Sequence, residues 1–200
     1  MKKHLMALLL LVSLLCTVLS GCGDGSAEQT PEDRAQANTI NVGIAQDLDE
    51  SLDPHKTVKA GTREVMFNVF EGLMKPTSNG DLTPAVAESY TVSDDHRTYT
   101  FTLREGVKFH NGDAVTAEDV IYSIQRCIAP AETGIVPVEA FSIITDIQAL
   151  DERTVAITIS EPSNEFISYL TTAILPADYE EQDTAPVGTG PFRFVSRTAQ

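Results

Sequence analysis

Between Thr98 and Ile128 the chain reads TYTFTLREGVKFHNGDAVTAEDVIYSIQRCI, and its hydrophobic period changes midway. No other feature restricts the fold as much. In the first part Tyr99, Phe101 and Leu103 alternate with Thr98, Thr100, Thr102 and Arg104. Period two marks a strand with one buried face, and β-branched threonines suit its wetter face. Val107 and Phe109 carry an alternation on to Asn111-Gly112, a turn dipeptide. Beyond it Val120, Ile121, Ile124, Cys127 and Ile128 recur at helical spacing as one buried stripe. Thr116 stands three residues before Asp119, an acidic version of a capping box. Glu118 and Asp119 fall in the first turn, where the helix dipole favours negative charge. Strand, turn and helix give almost every residue here a structural task, so its polar side chains need no catalytic reading.

The remainder alternates the two periods in the same way and predicts a mixed α/β (α+β) class. Ile40, Val42 and Ile44 alternate and predict a half-buried strand, followed by the loop QDLDESLDPHKTVKAG. Val65, Met66, Val69, Phe70 and Leu73 predict a helix with Thr62 as N-cap and Gly72 near its end. Thr77 to Asp81, TSNGD, is a turn, and a strand is expected around Tyr90 to Val92. Ile143 to Ser160 reads as two strands about Asp151-Glu152-Arg153, with Val155, Ile157 and Ile159 alternating. A short helix is expected around Glu165 to Thr172, then a Gly/Pro turn leading into a strand from Phe192 to Val195. From Thr39 onward this is roughly 160 residues, an ordinary one-domain length.

The start of the chain is of another kind. Lys2 and Lys3 precede the uncharged, leucine-rich run Leu5 to Leu19. At ~15 residues it is short of the ~20 a membrane span needs, and it fits an export signal. Leu19-Ser20-Gly21-Cys22 looks like a bacterial lipobox, in which cleavage leaves Cys22 as the lipidated N-terminus. Residues 1–21 are then the lipoprotein signal, and residues 22–38 the lipidated cysteine and a flexible tether without hydrophobic periodicity. Of the three cysteines, Cys16 lies in the signal and Cys22 carries lipid, so Cys127 has no internal disulfide partner and is expected to fill core space. Removing Lys2 and Lys3 takes the formal net charge from −15 to about −17. That acidity argues against nucleic acid or an anionic lipid surface as partner.

Several blocks carry a resemblance. SLDPHK (Ser51 to Lys56), VFEGLM (Val69 to Met74), the long block from Pro84 to Ser123, and PVGTGPF (Pro186 to Phe192) are similar to the family 5 extracellular solute-binding proteins. That group serves peptide and nickel ABC importers, and the blocks occur in its order. The resemblance implies a periplasmic-binding-protein-like fold of class II that closes on its ligand between two lobes. On that pattern residues 39–60 and 184–200 belong to lobe I, and residues 61–183 form an inserted extra domain. The second lobe is expected beyond Gln200, so that residues 1–200 are a piece of a longer protein or the product of a shortened gene. In peptide-binding members the residues after the Asp-Pro-His motif approach the ligand backbone. The matching positions are Val58, Lys59 and Ala60, with Thr57 and Gly61 flanking; the alternative is a plain surface loop. Main-chain pairing of that kind suits peptides of varied sequence.

The resemblance further implies a non-enzymatic, lipid-anchored component of an ABC importer on the extracellular face of the membrane, or the periplasmic side in a Gram-negative cell. It would capture oligopeptides or dipeptides and pass them to permease and ATPase subunits, without a cofactor. Nickel or a nickel chelate is the alternative solute, and a surface binding or sensor role the alternative function. A hydrolase would need a nucleophile with an oriented histidine or a metal cluster, and the sequence shows neither. His55 and His110 are read as loop and strand-end residues and not as metal ligands, and His96 as a solvated turn residue. Asp47, Asp49, Asp94 and Asp95 have no acid–base partner at defined spacing. Gly188-Thr189-Gly190 leads to a strand and not a helix, so it fails the dinucleotide fingerprint.

Overall fold

A computed structural model describes residues 42–44, 47–128 and 134–198. The signal segment, Cys22, the tether and Ile40 lie outside the described residues. The chain divides into a unit ending at Gly43 and a second from Ile44 to Gln200. In the second unit the elements run α1 (Ala60–Met66), β1 (Met74–Pro76), β2 (Leu82–Pro84), β3 (Ala87–Val92), β4 (Thr98–Leu103) and α2 (Ala117–Ile128). A 3₁₀ turn (Glu139–Ile143), β5 (Ile144–Asp151), β6 (Thr154–Ile159) and the single-turn α3 (Phe166–Tyr169) follow. No helix among the described residues is long and apolar enough to cross a membrane.

β1 and β2 form a hairpin closed by the TSNGD turn, where Gly80 takes φ +86°. Only glycine holds that conformation without strain. β3, β4, β6 and β5 form one antiparallel sheet in that order. In β4 Tyr99, Phe101 and Leu103 are buried and Thr98, Thr100 and Thr102 half-buried, as the alternation predicts. Phe101 is opposite Val155 and Tyr99 opposite Ile157 on β6. On the wetter face Thr98 Oγ1 lies 3.2 Å from Thr158 Oγ1. α2 packs against β5 and β6 through Val120, Ile124 and Cys127. Its capping box forms as expected: Thr116 N and Oγ1 each donate to Asp119 Oδ2 at 2.8 Å, and Asp119 N donates back to Thr116 Oγ1 at 3.4 Å. Phe141 and Phe166 close the end of this larger core.

Five expectations are corrected. Val42 to Ile44 is not a strand, and Val42 and Ile44 are exposed. Phe192 to Val195 is not one either, with Phe192 61% and Val195 85% exposed. Alternation supplies a face but not a ladder, and among the described residues no neighbouring strand accepts either segment. The first helix stops at Met66 and does not reach Leu73. Asn68 Nδ2 donates to Glu64 O at 2.9 Å, taking the carbonyl that the next helical amide would use. Val69 and Phe70 stay beside α1 in a smaller cluster with Leu52, Met66 and Leu175, whereas Leu73 crosses into the larger core. Thr62 is not the N-cap; Lys59 is, without a side-chain bond, and buried Thr62 instead accepts a hydrogen bond from Asp49 N at 2.7 Å. The helix expected over Glu165 to Thr172 is reduced to Phe166–Tyr169, since Leu170 O turns back to accept from Met74 N.

Candidate functional site

The Ser51–Lys56 loop is fastened at each polar residue to something distant in sequence. Asp53 is 1% exposed and takes both arms of the Arg126 guanidinium, Nη2 to Oδ2 at 2.6 Å and Nη1 to Oδ1 at 3.1 Å. A fully buried carboxylate is tolerable only with such a partner. His55 Nε2 lies 2.9 Å from Ala173 O, and Arg126 Nη1 lies 3.2 Å from His55 Nδ1. A carbonyl can only accept and a guanidinium can only donate, so Nε2 carries the ring proton and Nδ1 the lone pair. Ser51 Oγ and Lys56 Nζ both donate to the Asp183 carboxylate, the lysine at 2.9 Å. The Ser51 hydroxyl holds Asp183 below the ordinary carboxylate range; partial burial opposes it and Lys56 adds to it.

α2 supplies the other half of this fastening. Asp119, Ser123 and Arg126 follow one another at helical spacing beside the apolar stripe. Asp119 Oδ1 accepts from Ala177 N at 2.9 Å and Ser123 Oγ accepts from Leu175 N at 2.8 Å, while Arg126 takes Asp53. One face of α2 therefore packs on the sheet, and an adjoining polar row holds the segment 173–177 and the loop at 53–55.

Val58, Lys59 and Ala60 follow this anchored loop and are exposed at the start of α1. The amides of Val58 and Lys59 donate to Asp49 Oδ2 at 3.2 and 3.0 Å. Burial works against charge on Asp49, but the Lys59 amide, the Thr62 hydroxyl and the Val58 amide together hold its carboxyl below the usual range. The three residues are thus set on a fixed backbone with their side chains in solvent.

Gly188-Thr189-Gly190 closes on the end of α1. A Cβ on Gly188 would lie 2.2 Å from Val69 O, and one on Gly190 2.5 Å from Asn68 O. Glycine is required at both by this close approach of two backbones. His110 holds the loop from the other side: its N donates to Gly188 O at 2.9 Å and its Nε2 lies 2.8 Å from Gly190 O. Its Nδ1 lies 3.4 Å from Gly188 N. Both ring nitrogens of His55 and of His110 are taken up by structure. Among the described residues no three metal-ligating side chains come together.

Two clefts flank this corner and share Phe67, Phe70 and Thr171. One, of about 370 Å³, runs between Gly72, Lys75, Thr189 and Pro191; the Thr189 hydroxyl beside it is buried without a hydrogen-bond partner among the described residues. The other, of about 380 Å³, lies between Thr57 and Arg63 on one side and Val136 to Val138 on the other. Volumes of this order suit small solutes. Val58, Lys59 and Ala60 line neither cleft, whereas Thr57 and Arg63 line the second. Sequence reading missed Arg63 and Arg126. Arg126 had a signal in its helical spacing from Asp119 and Ser123, two polar residues bordering an apolar stripe.

Comparison with known proteins places this geometry. The family described as "Bacterial extracellular solute-binding proteins, family 5 Middle" matches residues 81–200. The glutathione-binding protein GsiB of Pectobacterium atrosepticum is 33% identical over 154 residues, which is 73% of this chain and 30% of the relative. The periplasmic binding protein AgaA from A. tumefacien R10, solved with agropinic acid, is 36% identical with a TM-score of 0.65, over 74% of this chain and 31% of that one. DppA of Helicobacter pylori, solved with the peptide STSA, is 29% identical with a TM-score of 0.65, over 74% and 35%. The chain spans about 30% of the length of the curated relative named here. The mixed α/β fold is that of periplasmic binding proteins, and the relatives are binding proteins and not enzymes. The chain belongs to the bacterial extracellular solute-binding proteins of family 5.

Proposed function

We propose that this chain is part of the solute-capturing component of an ABC importer, with small peptides as its solutes. The observation that carries the reading is the coincidence of the family match with a solute-sized cleft beside the anchored 51–63 segment. Val58, Lys59 and Ala60 form the exposed edge along which an extended peptide runs, held in place by the Asp49 and Asp53 contacts behind them. A binding component does no chemistry; it holds the solute for a permease whose ATPase supplies the energy. Residues 39–60 and 184–200 contribute to one lobe and residues 61–183 to the inserted domain, while lipid on Cys22 holds the protein at the extracellular face of the membrane.

The test is calorimetric titration of the purified native protein with di- to pentapeptides, paired with uptake of the same labelled peptides by cells. Saturable binding at micromolar concentrations, with uptake lost on gene deletion, supports the reading. Binding without any uptake defect turns it toward a sensor role. For the anchor, Cys22→Ala releases the protein from the membrane fraction; retention of the variant there rejects the lipid.

A further inference from the structure

Of the basic side chains Lys56, Lys59, Arg63 and Arg126 at this corner, Lys59 and Arg63 are in no ion pair among the described residues. Arg126 is paired with Asp53 and Lys56 with Asp183. Arg63 is exposed, and the bond its guanidinium makes is a long one, Nε to Thr57 O at 3.4 Å. No carboxylate among the described residues lies within ion-pair distance of it.

Position sets Arg63 apart from Lys59. Arg63 lines the cleft of about 380 Å³, and among the described residues no Asp or Glu lines that cleft with it. The walls are largely apolar: Met66, Phe67, Phe70, Val136, Pro137 and Val138. His55, the other basic side chain there, spends its ring on Ala173 O and Arg126. The Thr171 and Thr172 hydroxyls donate to Ser168 O and Tyr169 O, which leaves their oxygens able only to accept. An apolar slot bordered by a planar cation that is in no ion pair suits a carboxylate on an apolar body, the acid meeting the guanidinium Nη groups through parallel N–H···O bonds.

We infer that Arg63 is a specificity-determining residue of this cleft, and that it selects solutes bearing a free carboxylate next to an apolar group, such as the C-terminal end of a short peptide. The inference rests on the solute-binding reading above and sharpens it. The experiment uses the native protein and two matched pairs, alanyl-phenylalanine and glycyl-leucyl-phenylalanine, each as free acid and as C-terminal amide. The expected result is that each acid binds at least tenfold more tightly than its amide. Arg63→Gln removes that ratio by weakening the acid alone, and Arg63→Lys keeps part of it. An unchanged melting temperature for both variants, expected for an exposed side chain, separates recognition from folding. Equal binding of acid and amide, or a ratio that survives Arg63→Gln, overturns the inference and leaves the solute-binding reading standing. Failure of all four probes, together with the di- to pentapeptide panel, overturns both.

Discussion

In the four-stranded sheet, neighbours in space are mostly neighbours in sequence. β3 and β4 form one hairpin, β5 and β6 another, and only the β4–β6 pairing joins distant segments. Around α1 the relation is reversed. Asp53 meets Arg126, His55 meets Ala173, Ser51 meets Asp183, and His110 meets Gly190. The sheet is held by interlocked apolar side chains. The α1 corner has a small apolar cluster and is held largely by polar bonds to side chains and main chain far along the sequence. A core of the first kind tolerates conservative change, because apolar volume is interchangeable. The second kind does not, because each bond has one geometry and each buried partner is costly when left alone.

Two truncations of similar size break the comparison most directly. Asp53→Ala removes the carboxylate that takes both arms of the buried Arg126 guanidinium and is expected to cost about 3–5 kcal/mol. Phe101→Ala opens a cavity in the sheet core and is expected to cost about 3–5 kcal/mol as well. The difference lies in reach, read by amide hydrogen exchange. Asp53→Ala should expose α1 and the 173–177 segment while β4 and β6 stay protected, whereas Phe101→Ala should lower protection throughout. Uniform loss in both variants would make the two regions one cooperative unit and end the distinction.

Gly188→Ala comes next. Its Cβ would meet the Val69 carbonyl oxygen, which cannot yield, and the Phe70 ring, so a loss of about 1–3 kcal/mol in urea unfolding is expected, confined in exchange experiments to the α1 corner. Asp119→Ala removes the reciprocal partner of Thr116 and the acceptor of Ala177 N together, and should cost about 1 kcal/mol. Because Asp119 serves both regions, this variant should weaken both slightly.

The smallest effect is a pH dependence. Asp183 is held below its ordinary value of 3.8, so the unfolded chain takes up this proton first as pH falls. Its stabilising contribution is present in full above that value and is lost as pH drops through the lower folded one. Asp183→Asn should flatten the acid limb of a stability–pH curve and leave the neutral region alone. An unchanged acid limb would show that the Ser51 and Lys56 contacts do not distinguish folded from unfolded chain.

What was legible in the sequence follows the same division. The alternation of Tyr99, Phe101 and Leu103, the Asn111-Gly112 turn and the Thr116–Asp119 box were all readable because each partner lies within a few residues. So was the Asp151 turn between β5 and β6. The α1 corner was read wrongly at Thr62 and at the helix end. In both places a distant or competing polar group, Asp49 N or the Asn68 side chain, overrides the periodicity. For the site, the motif that resembles the family directed attention to residues 51–60. The residue type at Arg63 carried no pattern, and only the packing of Val136 to Val138 opposite it shows a cleft there.

His55 and His110 have a consequence for metals. Each imidazole meets main-chain atoms, and His55 also meets Arg126, so no lone pair is presented to an ion while the chain is folded. A nickel or zinc ion can reach either ring only after the loop has let go, and it then favours the open chain by mass action. For this protein a transition metal at those histidines would behave as a denaturant, and its apparent affinity there would measure how often the corner comes apart.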